Sequence, residues 1–124
     1  MKKPKFELLD LTFMTEISRG DVDYERQVTK VFIEIIPEDL AELKKNVESN
    51  SIQNLKKTLH HMQSSVSIMG LDKKLSAYMD IDTYEEVNSK VIKEKIDFIT
   101  ATCTKAIDEA TIYLKTLSEL VIFC

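Results

Sequence analysis

The sequence predicts an all-α fold, an antiparallel up-and-down four-helix bundle with a short additional N-terminal helix, built as one domain over residues 1–124. Three observations predict it. Only 2 Gly and 2 Pro occur in 124 residues, too few turn formers and breakers for an all-β chain. Apolar residues recur at steps of three and four, the spacing of a single buried helix face. The hydrophobic set is 44% and charged residues are 31%, an ordinary globular balance for a chain long enough to bury one core.

The first helix is predicted over about Leu8–Ser18, with Leu9, Phe13 and Ile17 on one stripe. Gly20 suits a left-handed helix stop, and Asp21 or Asp23 suits the cap of the next helix. That second helix spans about Val22–Glu48, with Val28, Val31, Phe32, Ile35, Leu40, Leu43 and Val47 as its expected apolar face. Pro37 removes one backbone donor, so a kink or restart is expected there, with Glu38 and Asp39 in the first turn of the restart. Ser49-Asn50-Ser51 reads as a turn and cap. The third helix is predicted over about Ile52–Met69, with Ile52, Leu55, Leu59, Met62, Val66 and Met69 inward and Gly70 as its stop. A shorter helix follows, carrying Leu71, Leu75, Tyr78 and Met79, and Asp80-Ile81-Asp82-Thr83 loosens the pattern. The last helix is predicted over about Asn88–Val121 on the stripe Ile92, Ile96, Ile99, Cys103, Ala106, Ala110, Leu114, Leu117 and Val121.

Composition excludes several classes. A net charge of −4 argues against a nucleic-acid binder, which needs a dense cationic surface, and Lys2, Lys3 and Lys5 are too short a run to supply one. No apolar stretch is long enough for a membrane span, and Glu7 and Asp10 interrupt any signal-peptide core. The expectation is a cytoplasmic protein, and Met1 with a one-domain length favours a stand-alone protein. Cys103 and Cys124 lack metal-ligand spacing, Cys103 falling in a core stripe. Two histidines leave no room for a zinc cluster of the usual kind without carboxylates, and no phosphate-binding Gly loop or Ser-His-Asp pattern occurs.

The third helix carries the candidate chemistry. His60 projects about 140° from the apolar centre, with Lys56 one turn before it and Gln63 and Ser64 one turn after. His61 falls on the flank, and Ile68 by phase on the non-core side. His60-His61-Met62-Gln63-Ser64-Ser65-Val66-Ser67-Ile68-Met69-Gly70 resembles the signature of histidine-containing phosphotransfer (HPt) domains, in which a helical His is followed by a Lys, small residues, and a Gly ten positions on. His60 and Gly70 keep that spacing and Ser64 and Ser65 supply the small pair. Leu11 to Asp21 and Val28 to Leu43 also resemble the family's first two helices. The likeness covers residues 8–80, and the last helix fits the architecture without a motif.

The resemblance implies a phosphoryl carrier on His60 between receiver-domain aspartates in a multistep two-component relay, and no enzyme or autokinase of its own. Its partners would be response-regulator receiver domains and a hybrid sensor histidine kinase, and the chain itself would be a monomer. This chain would hold no cofactor, and Mg²⁺ would sit on the receiver. Gln63 and Ser64 would flank the phosphoryl group, with Lys56 nearby. Ser67, Ile68, His61 and Leu11 would form the docking surface, and Gly70 would be structural. Gln63 departs from the family's usual Lys, exchanging a charge-assisted hydrogen bond for a weaker neutral one. Two rivals stand beside this reading: a helical adaptor that docks a partner without phosphotransfer, and a bundle holding metal or haem through His60 or His61.

Overall fold

A computed structural model of the chain describes residues 5–80 and 90–123. They form five helices, α1 (Thr12–Ser18), α2 (Val22–Glu48), α3 (Ile52–Ile68), α4 (Asp72–Leu75) and α5 (Lys90–Phe123), and no strand occurs among the described residues. Lys2, Lys3, Pro4, the segment Ile81–Thr83 and Cys124 lie outside them.

The helix junctions follow local chemistry. Arg19 (φ 51°) and Gly20 (φ 86°) turn the chain left-handed after α1, and Asp21 caps α2 by accepting the Tyr24 amide hydrogen at 3.0 Å. Asn50 (φ 53°) makes the turn into α3, where Ser51 caps by accepting from the Asn54 amide. Gly70 (φ 72°) ends α3, with the Leu71 amide donating back to the Val66 carbonyl at 2.9 Å. α2 runs through Pro37 as one helix, so the restart expected there does not occur. α4 is a single short turn, and Tyr78 and Met79 lie beyond it.

α2 is the central element, packed along both α3 and α5. Asn46 bonds Thr58 and Asp39 meets His61, so α3 runs antiparallel to α2. Glu25 bonds Tyr113, while Leu40 and Val47 share a hollow with Ile96 and Lys93, so α5 is antiparallel to α2 as well. The core is aliphatic and Met-rich: Ile36, Leu43, Leu55, Leu59, Met62, Met69 and Ile99 are fully buried.

The buried edge of α2 differs from the expected stripe. It is Glu25, Thr29, Phe32, Ile36, Asp39, Leu43 and Asn46, whereas Val31 is 46% exposed and Ile35 half-buried. These positions alternate steps of four and three, and their polar members are tolerated because each finds a partner. Ser18 donates to Glu25 at 2.6 Å and Tyr113 donates to its other carboxylate oxygen. Thr29 donates to the Glu25 carbonyl, and the Asn46 amide donates to Thr58 at 2.9 Å. The same network explains why Tyr113, rather than Leu114, is fully buried on α5.

Residues 5–11 are not helical, so α1 starts four residues later than expected. They form a strap across α5 and the end of α3. The Leu8 and Leu9 amides both donate to the buried Glu109 carboxylate, Lys105 pairs with Glu7 at 2.7 Å, and Phe6 meets Tyr113 edge to face. Lys105, Glu109 and Tyr113 are one face of α5 at four-residue spacing. At its other end the Asp10 amide donates to the Met69 carbonyl at 3.1 Å.

Gly70 sits where the strap crosses. A Cβ there would lie 2.1 Å from the Asp10 carbonyl oxygen, whereas one on Gly20 would meet nothing within 4 Å. Both glycines are left-handed, so both alanine variants incur about 1–2 kcal/mol of backbone strain. Only Gly70→Ala must also displace the strap. Urea unfolding is expected to show Gly70→Ala destabilised by at least about 1 kcal/mol more than Gly20→Ala; equal losses would place the strap contact outside the folding energetics.

Candidate functional site

The inward face of α3 (Leu55, Thr58, Leu59, Met62, Val66) leaves a crest of polar residues on the opposite side. His60, Gln63 and Ser64 are exposed on it, Lys56 and Ser67 are half-buried at its margin, and no described residue hydrogen bonds the His60 ring. The expected exposure of His60 and its small neighbour Ser64 is therefore present in the structure.

His61, one position on and about 100° around the helix, faces α2. Its Nδ1 lies 3.1 Å from Asp39 Oδ1, with its side chain 65% exposed. Asp39 is buried, and its Oδ2 has no hydrogen-bond partner. Burial holds the Asp39 carboxyl above its ordinary range, with Glu38 and Glu42 pushing the same way, while His61 opposes the shift through its charge and hydrogen bond. Beneath it Cys103 is buried, its thiol pushed up to about 12 by desolvation and then by Asp39, so it is a core residue and not a nucleophile.

Two hollows flank the crest. On the α2 side Tyr24, Val28, Val31 and Phe32 face Ser64, Ser65 and Ile68 across a shallow apolar groove. On the α4 side Gln63 and Ser67 share a hollow with Asp72, Ser76, Met79 and Asp80. Ile68 is half-buried against the core as one wall of the first groove, which corrects its placement on the non-core side. Leu11 is buried at the start of α1, so it is no docking residue; the strap carries it into the core next to Leu9. Phe13 and Ile17 of α1 are exposed instead, at 48% and 41%. The groove residues Tyr24 and Val31 went unnoticed in the sequence because Val31 fits an apolar stripe, and the polar identity of Asp39 and Glu25 hid the true one.

No known family model, curated protein or solved structure matches the chain. Among the described residues no group of three His, Cys, Asp or Glu side chains gathers to hold a metal ion, and no helix is long and apolar enough to cross a membrane. The site therefore offers two adjacent imidazoles of different character. His60 is free on a crest, and His61 is tied to a buried carboxylate.

The sign of the Asp39 effect follows from burial. Because its folded carboxyl is held above the ordinary value of 3.8, its contribution to stability is fully present below that value and is lost as pH rises through the folded pKa. Asp39→Asn keeps an acceptor for His61 and removes the charge. It is expected to raise the urea midpoint at pH 7, with the gain shrinking as pH falls toward 4; a gain that grows on acidification would contradict the burial argument.

Proposed function

We propose that the chain is a histidine phosphotransfer protein, its helices forming an up-and-down four-helix bundle that presents His60 as a phosphoryl carrier between receiver-domain aspartates. The observation that carries the reading is His60 on the exposed crest of α3, bordered by Ser64 and Gln63 and set beside an apolar groove. A neutral imidazole is nucleophilic near pH 7, its unperturbed pKa lying at about 6.5. Its ring nitrogen attacks the phosphorus of an aspartyl phosphate in line, the acyl phosphate bond breaks, and the aspartate leaves as a carboxylate. Such a transfer is dominated by positioning and charge stabilisation. A receiver bringing Mg²⁺ supplies most of the charge, and this chain supplies an exposed imidazole that no described residue hydrogen bonds.

Ser64 favours the reading because a large side chain one turn from His60 would obstruct the approaching receiver. Gln63 donates a neutral hydrogen bond to the phosphoryl oxygens, and Lys56 is the cation one turn before His60. Tyr24 and Val31 are the exposed apolar side chains that a docked receiver would cover, with Val28 and Ile68 as the floor. The adaptor reading shares this groove and differs only in needing no chemistry at His60.

A phosphorylated receiver with Mg²⁺ is expected to transfer label to the chain, in a form lost in acid and stable in base. His61→Gln keeps the label and His60→Gln loses it. Transfer to neither variant or wild type, across several receivers with the fold intact, leaves the adaptor. In the same assay Gln63→Lys is expected to lengthen the lifetime of the phosphorylated chain about fivefold to tenfold, the added charge strengthening its bond to the phosphoryl group by about 1 kcal/mol. No change there would assign the stabilising charge to the receiver alone. Val31→Asp is expected to weaken receiver binding at least about tenfold with an unchanged melting temperature, since an exposed apolar side chain contributes to docking and not to the core. Unimpaired binding would move the docking surface off this groove.

A further inference from the structure

His61 and Asp39 form a second arrangement on α3, outside the carrier role given to His60. We infer that His61 is itself a phosphoryl acceptor, an imidazole oriented by Asp39 that reacts through Nε2 with small phosphoryl donors carrying a good leaving group. Three features of the structure converge on it. Asp39 Oδ1 stands 3.1 Å from His61 Nδ1, and an ionised carboxylate has no hydrogen to give, so Nδ1 is the donor. In the neutral ring that fixes the lone pair on Nε2. The His61 side chain is 65% exposed, which leaves Nε2 open to a small reagent.

The third feature is the cost of the arrangement. Asp39 is a buried carboxylate with one oxygen unpartnered and the other hydrogen bonded by His61, while Glu38 and Glu42 disfavour its charge. An apolar side chain at this α2 position would pack against Cys103 without that penalty. What the carboxylate adds is an oriented, electrostatically supported imidazole, the arrangement used where a ring nitrogen must act as a nucleophile. His60, one residue away, has no such support among the described residues.

The step balances without a further reagent. The Nε2 lone pair attacks phosphorus and forms the N–P bond. The bond from phosphorus to the leaving group breaks, its electron pair departing on ammonia from phosphoramidate or on carboxylate from an acyl phosphate. The Nδ1 proton stays on the ring, and the positive charge of the phosphorylated imidazole faces the Asp39 carboxylate.

His61 lies on the α2 side of α3, one turn before Ser65 of the groove, and its reaction with a small reagent needs no docked receiver. The inference therefore stands independently of the carrier role. The test incubates wild type, His60→Gln, His61→Gln, the double variant and His60→Gln with Asp39→Asn with phosphoramidate, and in parallel with a phosphorylated receiver. Phosphoramidate is expected to label His60→Gln and not the double variant, and ³¹P NMR to report the Nε2 product. Adding Asp39→Asn is expected to slow labelling about tenfold. The His61 ring should keep its Nδ1–H tautomer in ¹⁵N spectra, because the Asn side chain retains an acceptor and only the charge is lost, while circular dichroism stays unchanged. Absence of label on His60→Gln, or labelling that ignores the loss of the Asp39 charge in Asp39→Asn, overturns the inference. Failure of the receiver to label wild type overturns only the carrier reading. Receiver-derived label on His60→Gln identifies His61 as an acceptor of the larger donor too, and so relocates the carrier site.

Discussion

The structure depends on satisfying the polar residues along the buried edge of α2. Glu25, Thr29, Asp39 and Asn46 share that edge with Phe32, Ile36 and Leu43, so hydrophobic burial alone would leave several polar groups stranded. Three of them pair with other helices, Glu25 with Ser18 of α1 and Tyr113 of α5, Asn46 with Thr58 of α3, and Asp39 through one oxygen with His61 of α3, while Thr29 donates to the Glu25 carbonyl within α2. Aliphatic contacts are non-directional and tolerate small rotations of one helix against another. Hydrogen bonds do not, and a turn of α3 by one residue would unpair Asn46 and Asp39 together. The polar edge thus sets the rotation and register of the helices that the apolar residues hold together.

That rotation decides which imidazole faces outward. Adjacent helix positions diverge by about 100°, so a pair of neighbouring histidines cannot both face α2. With Thr58 and His61 committed to α2, His60 is left on the crest, Ser64 follows it one turn later, and Ile68 is drawn down into the groove wall. The exposure of His60 is therefore a consequence of contacts made elsewhere, through a residue beside it and a carboxylate one helix away.

Much of this was legible in the sequence where one residue type had one local role. Gly20, Asp21, Ser51 and Gly70 marked the junctions because caps and left-handed turns are short-range chemistry, and the stripe of α3 was readable because nearly all its inward residues are apolar. The stripe of α2 was not, since a spacing of buried positions is visible only when the residues at them look buriable. Glu25 and Asp39 are inside only because Tyr113 and His61, distant in sequence, come to meet them. Residues 8–11 read as helix because Leu9 keeps helical spacing with Phe13 and Ile17. Their amides instead find acceptors far along the chain, Leu9 in Glu109 100 residues on and Asp10 in the Met69 carbonyl of α3. The docking role expected of Leu11 failed for the same reason, whereas the phase of His60 needed no distant partner.

The strap bears on the site as well as on the fold. α3 is held at its start by the Ser51 cap and the Asn46–Thr58 bond, and in its middle by Asp39. Its end is held where Asp10 crosses Gly70 closely enough that only glycine leaves room. A helix fixed at three levels offers its crest with little freedom to rotate or fray. Transfer between a side chain and a phosphoryl group gains most of its rate from alignment, and misplacement by about 1 Å can cost about a hundredfold. On the carrier reading, the placement of His60 is what this chain contributes to such alignment. The buried polar pairs and the close strap crossing, each unfavourable when taken alone, are what confer that placement on α3.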